Sequence, residues 1–392
     1  MDITLSEDQA LLHETAVSFA RQALTPQQIR DLETTEHGYE PAVWKEMARM
    51  GWAAAALPER FGGADVGPFE LSLIAEALGQ GAIPSPFFST VVEAGLLLLD
   101  AGSELQQSEW LPRIGAGEAI MTTAIEEPDG GLAPHDIRTS ITTSGNGFKI
   151  DGTKLFVRDA GAAEAVICLA RSPHAPDELT LALIPRGTKG MSLRRLKAAG
   201  GEAVWEVSFD GVTVDADAIV GEFGDGWRHV ERLLLRAAAF KSAELVGIGK
   251  ASLDLSLDYA RTRVQFGKPI GSFQAVQHHC ANMYRDLELS RLLAWQASGS
   301  LGDGVAGARE VSMAKAKCSE AVPAITRTAQ QIHGAIGYYR DYPLELYYHR
   351  AIAAQSAYGN AAHHRRVLAK LLRADIDRFR GNDRHELPVH HV

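Results

Sequence analysis

The sequence is poor in cysteine, with three residues of this type in 392. Cys168, Cys280 and Cys318 lie far apart, and none belongs to a pair with the CxxC spacing of a metal site or a redox motif. Disulfides belong to oxidising compartments, and cysteine-based metal sites need several such residues close together. The cysteine content therefore predicts a reduced cytoplasmic protein without disulfides and without a bound metal.

The sequence also lacks a long apolar run and a positively charged N-terminal segment. No stretch approaches the ~18 apolar residues that a transmembrane helix needs. Asp2, Glu7 and Asp8 occupy the region where a secretory signal would carry positive charge. We therefore expect neither a membrane-spanning protein nor a secreted one.

Positive charge is in deficit, with 39 Lys and Arg against 49 Asp and Glu and a net charge of −10. A protein that binds nucleic acid usually has the opposite excess, so nucleic acid is not expected as a partner. Apolar residues make up 46% of the chain and charged residues 22%, as in a folded globular protein. A chain of 392 residues exceeds what one core usually holds, so two or three domains are expected.

Hydrophobic spacing predicts an α+β protein that begins with a helical domain over residues 1–118. From about residue 119 the character changes to short β-branched or alternating segments, separated by turns such as Ser144-Gly145-Asn146-Gly147. The short connections favour an antiparallel sheet or small barrel, not a parallel sheet, over residues 119–225. The predicted helices cover residues 6–24, 41–50, 68–78 and 90–101, and the predicted strands cover 147–157, 180–184 and 206–214.

Helical spacing returns after residue 225 and predicts a four-helix bundle over residues 226–379. Residues 380–392 are expected to form a flexible tail, in which His390 and His391 are solvated. His278 and His279 are adjacent on a helix and face different directions, so they do not suggest a joint metal site. The four predicted helices cover residues 226–262, 272–301, 303–334 and 343–374.

A compact basic turn separates the first two helices of this bundle, between Tyr259 and Gln274. Pro269 lacks a backbone N–H and disfavours the helical conformation in the residue before it, so two helices meet at a corner here. Arg263 supplies a planar guanidinium and Gln265 an amide, groups that suit a phosphate or pyrophosphate. An ordinary interhelical turn with solvated charges is the alternative.

Five motifs follow one another along the chain. They are Leu57-Pro58-Glu59 with Gly62-Gly63, Glu126-Glu127-Pro128, Asp151-Gly152-Thr153-Lys154, Arg263 to Gln274, and Gln331 to Gly337 with Tyr342-Pro343-Leu344-Glu345. In this order and spacing the chain resembles the acyl-CoA dehydrogenases, flavoproteins that desaturate an acyl-CoA thioester between Cα and Cβ. The resemblance runs nearly end to end and implies an N-terminal helical domain, a middle antiparallel β-barrel and a C-terminal four-helix bundle.

The resemblance implies FAD as the cofactor, bound between subunits. In the family, the basic corner and a late glycine-rich loop reach across the interface to the FAD of the neighbouring subunit. A guanidinium can pair with pyrophosphate, and small residues permit close backbone approach, so the residue chemistry agrees. The matching residues are Arg263, Gln265, Phe266, Gln274, Gln331, Gly334 and Ala335.

The positions that hold the flavin ring within the same subunit depart from the family pattern. Glu126 stands where the family has the Thr of a Thr-Glu-Pro run, and Leu132 replaces the Ser of the following Gly-Ser-Asp. Arg158 replaces the Thr that lies near flavin N5. Hydroxyl donors have become an acid, an apolar group and a long cation, and one hypothesis is that Arg158 and Glu126 pair with each other.

The base that removes the Cα proton is absent from both positions where the family carries a Glu. Those positions hold Tyr358 and Ala237. Tyr titrates near ~10 and Ala does not titrate, so neither is a competent base at neutral pH. Glu244, flanked by apolar residues on the first bundle helix, is a candidate for a relocated base, with a structural ion pair as the alternative. Asp341 is a further acid, expected to be solvated.

Only the groups that would hold this chain's own flavin ring and remove the proton are lost, because the groups expected to contact a neighbour's FAD remain. The leading hypothesis is a subunit of a heteromeric acyl-CoA dehydrogenase that contributes FAD contacts to a catalytically complete partner, as in α2β2 members that act on bulky steroid-type substrates. The implied partners are an acyl-CoA, a related subunit in a heterotetramer, and an electron-transfer flavoprotein. The alternatives are a homotetrameric, self-sufficient flavoenzyme with a relocated base and a non-enzymatic acyl-CoA binding or interaction protein.

Overall fold

The first part of the chain is helical in the computed structural model, which describes residues 4–173, 175–301 and 307–382. Its helices are α1 (Glu7–Gln22), α2 (Pro26–Leu32), α3 (Pro41–Arg49), α4 (Pro68–Gly81), α5 (Leu96–Ala101) and α6 (Glu104–Gly115). Helix α1 begins at the predicted capping box, in which Ser6 and Gln9 each accept a hydrogen bond from the backbone N–H of the other. Helix α4 is buried on all sides over residues 71–80, so it forms the centre of this part.

A π-helical segment, Phe87–Gly95, precedes α5 where the sequence predicts an α-helix over residues 90–101. All nine of its residues are buried. A π-helix is wider than an α-helix and is often found at functional sites. Here it carries Ser89 and Glu93, whose side chains contact Asp159 and Thr123 of the β-sheet part.

The middle part forms a sheet, as expected. Its eight strands are β1 (Met121–Ala124), β2 (Ser140–Ser144), β3 (Gly147–Arg158), β4 (Ala165–Ser172), β5 (Ala175–Pro185), β6 (Met191–Leu196), β7 (Val204–Asp215) and β8 (Ile219–Val220). Their order is β6-β7-β3-β2-β4-β5-β8, with β1 paired to β4. Strands β2 and β3 are joined by a two-residue turn, and Ser144 pairs with Gly147, as the turn residues predict.

The expectation of a purely antiparallel sheet is wrong at two pairings. Strand β4 pairs in parallel with β1 along residues 121–124 and with β2 at Ser140. The expectation rested on short connections between successive strands. However, β1 and β4 are not successive, and the long connection through β2 and β3 gives the chain room to return in the parallel direction.

The last part of the chain is a set of long helices. They are α7 (Gly226–Thr262), α8 (Gln274–Ser300), α9 (Ala308–His333), α10 (Pro343–Ala354) and α11 (Ala361–Asn382). The predicted fourth helix over residues 343–374 is in fact two helices, because a turn interrupts it at Tyr358 and Gly359, which have φ of 55° and 95°. Helix α11 continues to Asn382, past the predicted start of the tail, and the rest of that tail lies outside the described residues.

The helical parts and the sheet share one apolar core. It joins α4 and the π-helical segment to α7 and to one side of the sheet, while smaller cores lie inside the sheet and among α7, α8, α9 and α10. In the part of the chain described by the structure, no helix is both long and apolar enough to cross a membrane. The region where the three parts meet therefore offers the most enclosed setting for a site.

One buried ion pair anchors the sheet to the segment that follows β1. The ammonium group of Lys154, which is fully buried, donates to Glu127 Oε1 at 2.6 Å and to the Ile125 carbonyl at 3.1 Å. The Glu127 carboxylate also accepts from the backbone N–H groups of Arg138 and Thr139. Burial alone would raise the pKa of Glu127, but the ammonium and the donors of Thr139 hold it below its ordinary value.

Replacing Lys154 with Met should destabilise the fold by about 3–5 kcal/mol, because Glu127 would be left as a buried charge without a cation. The shift in the urea unfolding midpoint measures this cost. Lys149→Met is the matched control, since Lys149 lies on the same strand and pairs with Asp151 at the surface. It should cost less than about 1 kcal/mol. Similar midpoints for the two variants would contradict the role assigned to Lys154.

Candidate active site

Arg158, Glu93 and Tyr358 meet where the three parts of the fold join. Arg158 Nη1 lies 3.5 Å from Glu93 Oε1, and its guanidinium carbon lies 5.0 Å from the centre of the Tyr358 ring. The Tyr358 hydroxyl donates to the same Glu93 oxygen, and Thr123 donates to the other at 2.6 Å. We call Arg158, Glu93 and Tyr358 the Arg158 cluster. The cation, the anion and the phenol contact one another, although the buried Nε of Arg158 has no hydrogen-bond partner among the described residues.

The backbone at the end of β3 places Arg158 in this position. The pairing of β3 with β7 shifts register between Lys154 and Val157, which marks a β-bulge. Phe156 and Asp159, on either side of the bulge, have φ of 53° and 52°, a backbone conformation that residues other than glycine rarely adopt. A bulge redirects side chains, and here Phe156 is half exposed while Arg158 is turned inward.

A buried lysine, which the sequence analysis missed, holds the turn that carries Tyr358. Lys315 Nζ donates to the carbonyls of Gln355 and Gly359 at 3.0 and 2.8 Å and to Ser319 Oγ at 2.9 Å. Burial lowers the pKa of Lys315 to about 7. The available sequence signal was a lysine on an otherwise apolar face of α9. The turn that Lys315 contacts is about 40 residues further along the chain, so residue spacing could not predict this contact.

The predicted ion pair between Arg158 and Glu126 is wrong, because Arg158 pairs with a different acid. Among the residues that the structure describes, the carboxylate within 4 Å of Arg158 is that of Glu93. Burial raises the pKa of Glu126, and the nearby Arg158 only partly offsets this effect. Burial also raises the pKa of Tyr358 well above its ordinary value, so its hydroxyl keeps its proton at neutral pH.

The Arg158 cluster leaves a cavity of about 20 Å³ beside it. The walls include Glu126, Leu132, Phe156 and Leu233. About 10–15 Å³ suffices for one water molecule, so this space is far too small for a tricyclic flavin ring. The three hydroxyl donors expected around a ring are also absent from positions 126, 132 and 158. The residues present do not fit a flavin ring seated in this chain.

The other three positions considered for a base give no free carboxylate beside this cavity. Ala237 is fully buried on α7. The Glu244 carboxylate pairs with Lys241, one turn earlier on the same helix, and Lys241 Nζ lies 3.7 Å from the centre of the Phe88 ring. Asp341 is exposed. Glu244 lines a second cavity with Arg158, so it remains a prediction as a relocated base.

The seven residues expected to contact a neighbour's FAD all lie on the surface. The corner is a tight hairpin, with Phe266 and Gly267 at φ of 54° and 78° and Phe266 92% exposed. Within the described part of the chain, the Arg263 guanidinium has no carboxylate within 4 Å, whereas the neighbouring Arg261 pairs with Asp258. An unpaired guanidinium on a rigid exposed hairpin is available to an anionic ligand.

The glycine-rich loop lies beside this corner. Tyr259, in the last turn of α7, stacks on His333 with ring centres 4.4 Å apart, and His333 is the last residue of α9. Gly334 follows with φ 64° and ψ −141°, a conformation essentially restricted to glycine. Gln331 and Ala335 flank it at the surface. The structure thus brings the two predicted trans segments onto one face of the helical part.

Asp159, next to Arg158, provides a further acid at the site, and it is partly exposed. Its Oδ2 accepts a hydrogen bond from Ser89 Oγ at 2.5 Å. Burial raises the pKa of Asp159 to about 7, against an ordinary value near 3.8. In that interval the folded protein retains a proton that the unfolded chain has released, so this group stabilises the fold less as the pH rises from 4 to 7.

Asp159→Asn should therefore gain stability relative to the wild type between pH 4.5 and 7.5, by roughly 1.4 kcal/mol for each pKa unit of the shift that lies in this range. Urea unfolding midpoints of both proteins at the two pH values measure the gain. Asp151→Asn is the control, because nearby Lys149 lowers the pKa of Asp151, and it should show no such gain. An equal difference at both pH values would refute the assignment to Asp159.

Three family models match successive parts of the chain: the acyl-CoA dehydrogenase N-terminal domain over residues 6–118, the middle domain over 122–212 and the C-terminal domain over 224–372. The acyl-CoA dehydrogenase fadE12 of Mycobacterium bovis is 30% identical over 317 residues, which span 78% of this chain and 81% of that relative.

Solved structures agree with these matches. The ChsE4-ChsE5 complex from Mycobacterium tuberculosis superposes with a TM-score of 0.85 at 27% identity, over 95% of this chain and 99% of that chain. The structure of PigA with FAD and proline gives a TM-score of 0.87 at 25% identity, over 95% and 99% of the two chains. These matches confirm the resemblance and the fold class, and together with the family they indicate FAD as the cofactor. The chain belongs to the acyl-CoA dehydrogenase family of oxidoreductases, which desaturate acyl-CoA thioesters between Cα and Cβ.

Proposed function

We propose that this chain is one subunit of a heteromeric acyl-CoA dehydrogenase, and that it contributes FAD contacts to a related, catalytically complete partner. The proposal rests on a single contrast. The residues expected to seat a flavin ring are replaced by the buried Arg158 cluster, while the residues expected to reach a neighbour's FAD are exposed. This combination is expected of a subunit that contacts the FAD of its neighbour but does not bind a flavin ring itself.

The buried residues of this chain support the part of the proposal that gives the flavin ring to the partner. The cavity of about 20 Å³ beside Arg158 is too small for the ring. Enlarging it would require Arg158 to leave Glu93, and an uncompensated buried charge costs about 3–5 kcal/mol. The phenol of Tyr358 keeps its proton and Ala237 carries none, so neither family position supplies a base. Removal of the Cα proton is therefore assigned to the partner.

The exposed residues give this chain a role in positioning the FAD. Arg263 would pair with the pyrophosphate of FAD, and the amides of Gln265, Gln274 and Gln331 would supply hydrogen bonds. The backbone at Gly334 would approach the cofactor closely, because it carries no side chain. Bound FAD accepts hydride in this family, and the residues of this chain would hold the end of the molecule that does not react.

The comparison structures are compatible with an assembly of unlike chains. One neighbour at 27% identity is a complex of two differently named chains, ChsE4 and ChsE5. In the heterotetramer that we propose, the flavin count would be half the number of chains. The acyl-CoA would bind with the partner's ring, and an electron-transfer flavoprotein would accept the electrons.

Flavin stoichiometry tests the proposal. We expect the chain purified alone to bind no FAD, and the chain co-purified with a related dehydrogenase subunit of the same organism to contain one FAD per pair. Absorbance of the bound flavin and turnover of short, branched and steroid-type acyl-CoA substrates measure both properties. One FAD per chain with turnover by the isolated chain would establish the self-sufficient enzyme instead. No flavin in either preparation would favour a non-enzymatic binding protein.

Arg263→Ala should lower FAD retention in the complex by tenfold or more, because a charge-assisted pair with pyrophosphate contributes roughly 1.5–3 kcal/mol. Equilibrium dialysis of the complex measures the change in affinity. Arg261→Ala removes a neighbouring exposed arginine that already pairs with Asp258, and it should leave FAD binding within about twofold of the wild type. Equal effects of the two substitutions on FAD affinity would contradict the role of Arg263 in FAD binding.

A further inference from the structure

Three aromatic rings meet between the two surface segments to which the proposed function gives the FAD contacts. Tyr259, in the last turn of α7, stacks on His333, the last residue of α9, with ring centres 4.4 Å apart. The Tyr342 ring also contacts His333, with ring centres 5.1 Å apart. His333 is only 4% exposed, so its ring is enclosed by its neighbours. We call Tyr259, His333 and Tyr342 the aromatic clamp.

The hydrogen bonds of His333 determine which of its nitrogens carries the proton. Nδ1 lies 2.8 Å from the Ala329 carbonyl, which can only accept, so Nδ1 is the donor. Burial lowers the pKa of His333, so the ring is neutral at pH 7 and Nε2 has a free lone pair. The Tyr342 hydroxyl, 2.9 Å away, donates to Nε2. A buried side chain with both nitrogens satisfied is held in one orientation.

The aromatic clamp closes the base of the loop over residues 334–341. His333 and Tyr342 directly precede and follow this loop, so the bond between their side chains joins its two ends. Inside the loop, Gly337 lies so close to His333 that an added Cβ would be 3.1 Å from the His333 Cβ. The Tyr342 carbonyl also accepts from Arg30 Nη2 at 3.0 Å, which ties the end of the loop to α2. The loop is therefore fixed at both ends.

The aromatic clamp reaches the basic corner through Tyr259. The Tyr259 carbonyl accepts from the backbone N–H of Arg263 at 2.8 Å, at the end of α7. The Arg263 carbonyl in turn accepts from the N–H of Ile270 at 2.9 Å, across the hairpin. The backbone position of Arg263 thus depends on how Tyr259 is held. Because Tyr259 stacks on His333, the corner and the loop have a common support.

We infer that His333 and Tyr342 are positioning residues, which hold the Arg263 corner and the Gly334 loop at a fixed spacing. FAD would contact both segments in the proposed assembly. A spacing that is fixed before binding lowers the conformational entropy that binding costs. The role in FAD binding rests on the proposed function, whereas the coupling between the two segments is a property of this chain alone.

Hydrogen exchange of the full chain, without FAD or a partner, tests the coupling. Tyr342→Phe removes the bond to His333 Nε2 and keeps the ring. We expect the amides of Arg263 and Ile270 in the corner and of Tyr339 in the loop to exchange about fivefold faster. A change of this size is what one neutral hydrogen bond contributes to an opening equilibrium. An unchanged exchange rate in the corner would refute the coupling.

A double-mutant cycle tests whether the bond between His333 and Tyr342 carries the effect. His333→Phe keeps a ring on which Tyr259 can stack, but it lacks the nitrogen that accepts the bond. Adding Tyr342→Phe to this variant should not accelerate exchange further, because the bond that it removes is already absent. Additive effects of the two substitutions on the corner amides would mean that the residues act separately, and would overturn the aromatic clamp.

The FAD affinity of the complex with the related subunit tests the positioning role. Tyr342→Phe should weaken FAD binding by about fivefold in equilibrium dialysis, since the two contact segments lose their fixed spacing. Tyr347→Phe is the matched control, because Tyr347 is also half-buried and donates to the Gln80 carbonyl at 2.8 Å, outside both segments. It should lower the urea unfolding midpoint by a similar amount and leave FAD binding within about twofold of the wild type.

The outcomes distinguish a failure of the positioning role from a failure of the proposed function. Equal FAD affinities of the Tyr342→Phe and Tyr347→Phe complexes would overturn the positioning role and leave the heteromeric function standing. No FAD in the wild-type complex would count against both. Faster exchange in the corner of the isolated Tyr342→Phe chain would support the coupling in either case.

Discussion

The buried guanidinium of Arg158 determines what the centre of this fold can hold. A charge removed from water must be paired, and Glu93 supplies the opposite charge while Tyr358 covers the guanidinium and donates to the same carboxylate. The three residues come from β3, the π-helical segment and the turn before α11. Meeting this demand brings all three parts of the fold together and leaves about 20 Å³ of free space.

The exposed arginine Arg263 is not explained by the need to pair a buried charge. Arg263 stands on a rigid hairpin without a carboxylate partner among the described residues, and an exposed charge of this kind contributes little to folding. Folding therefore accounts for Arg158 but not for Arg263. The unmet hydrogen-bonding capacity of the exposed Arg263 is what a ligand can satisfy.

Much of the fold could be predicted from local signals. Capping residues, hairpin glycines and apolar spacing gave the α, β and α parts and most of their elements, because these depend on neighbours within a few residues. Helices α2 and α6 and several short strands, such as β4 and β6, were missed. Three further features were misjudged: the π-helical segment, the parallel pairings of β4, and the break near Tyr358. Each depends on distant contacts, as the Lys315 bonds to the carbonyls of Gln355 and Gly359 illustrate.

The sequence by itself determined the family resemblance, the exposed corner and the loss of hydroxyl donors and base at the usual positions. Only the tertiary structure decided which charges meet. Arg158 could be placed in the site from its motif, but its partner proved to be Glu93 and not Glu126. The physical reason is that residue spacing specifies the face on which a side chain lies, whereas an ion pair in a buried site depends on differences of one or two ångströms between segments distant in the chain.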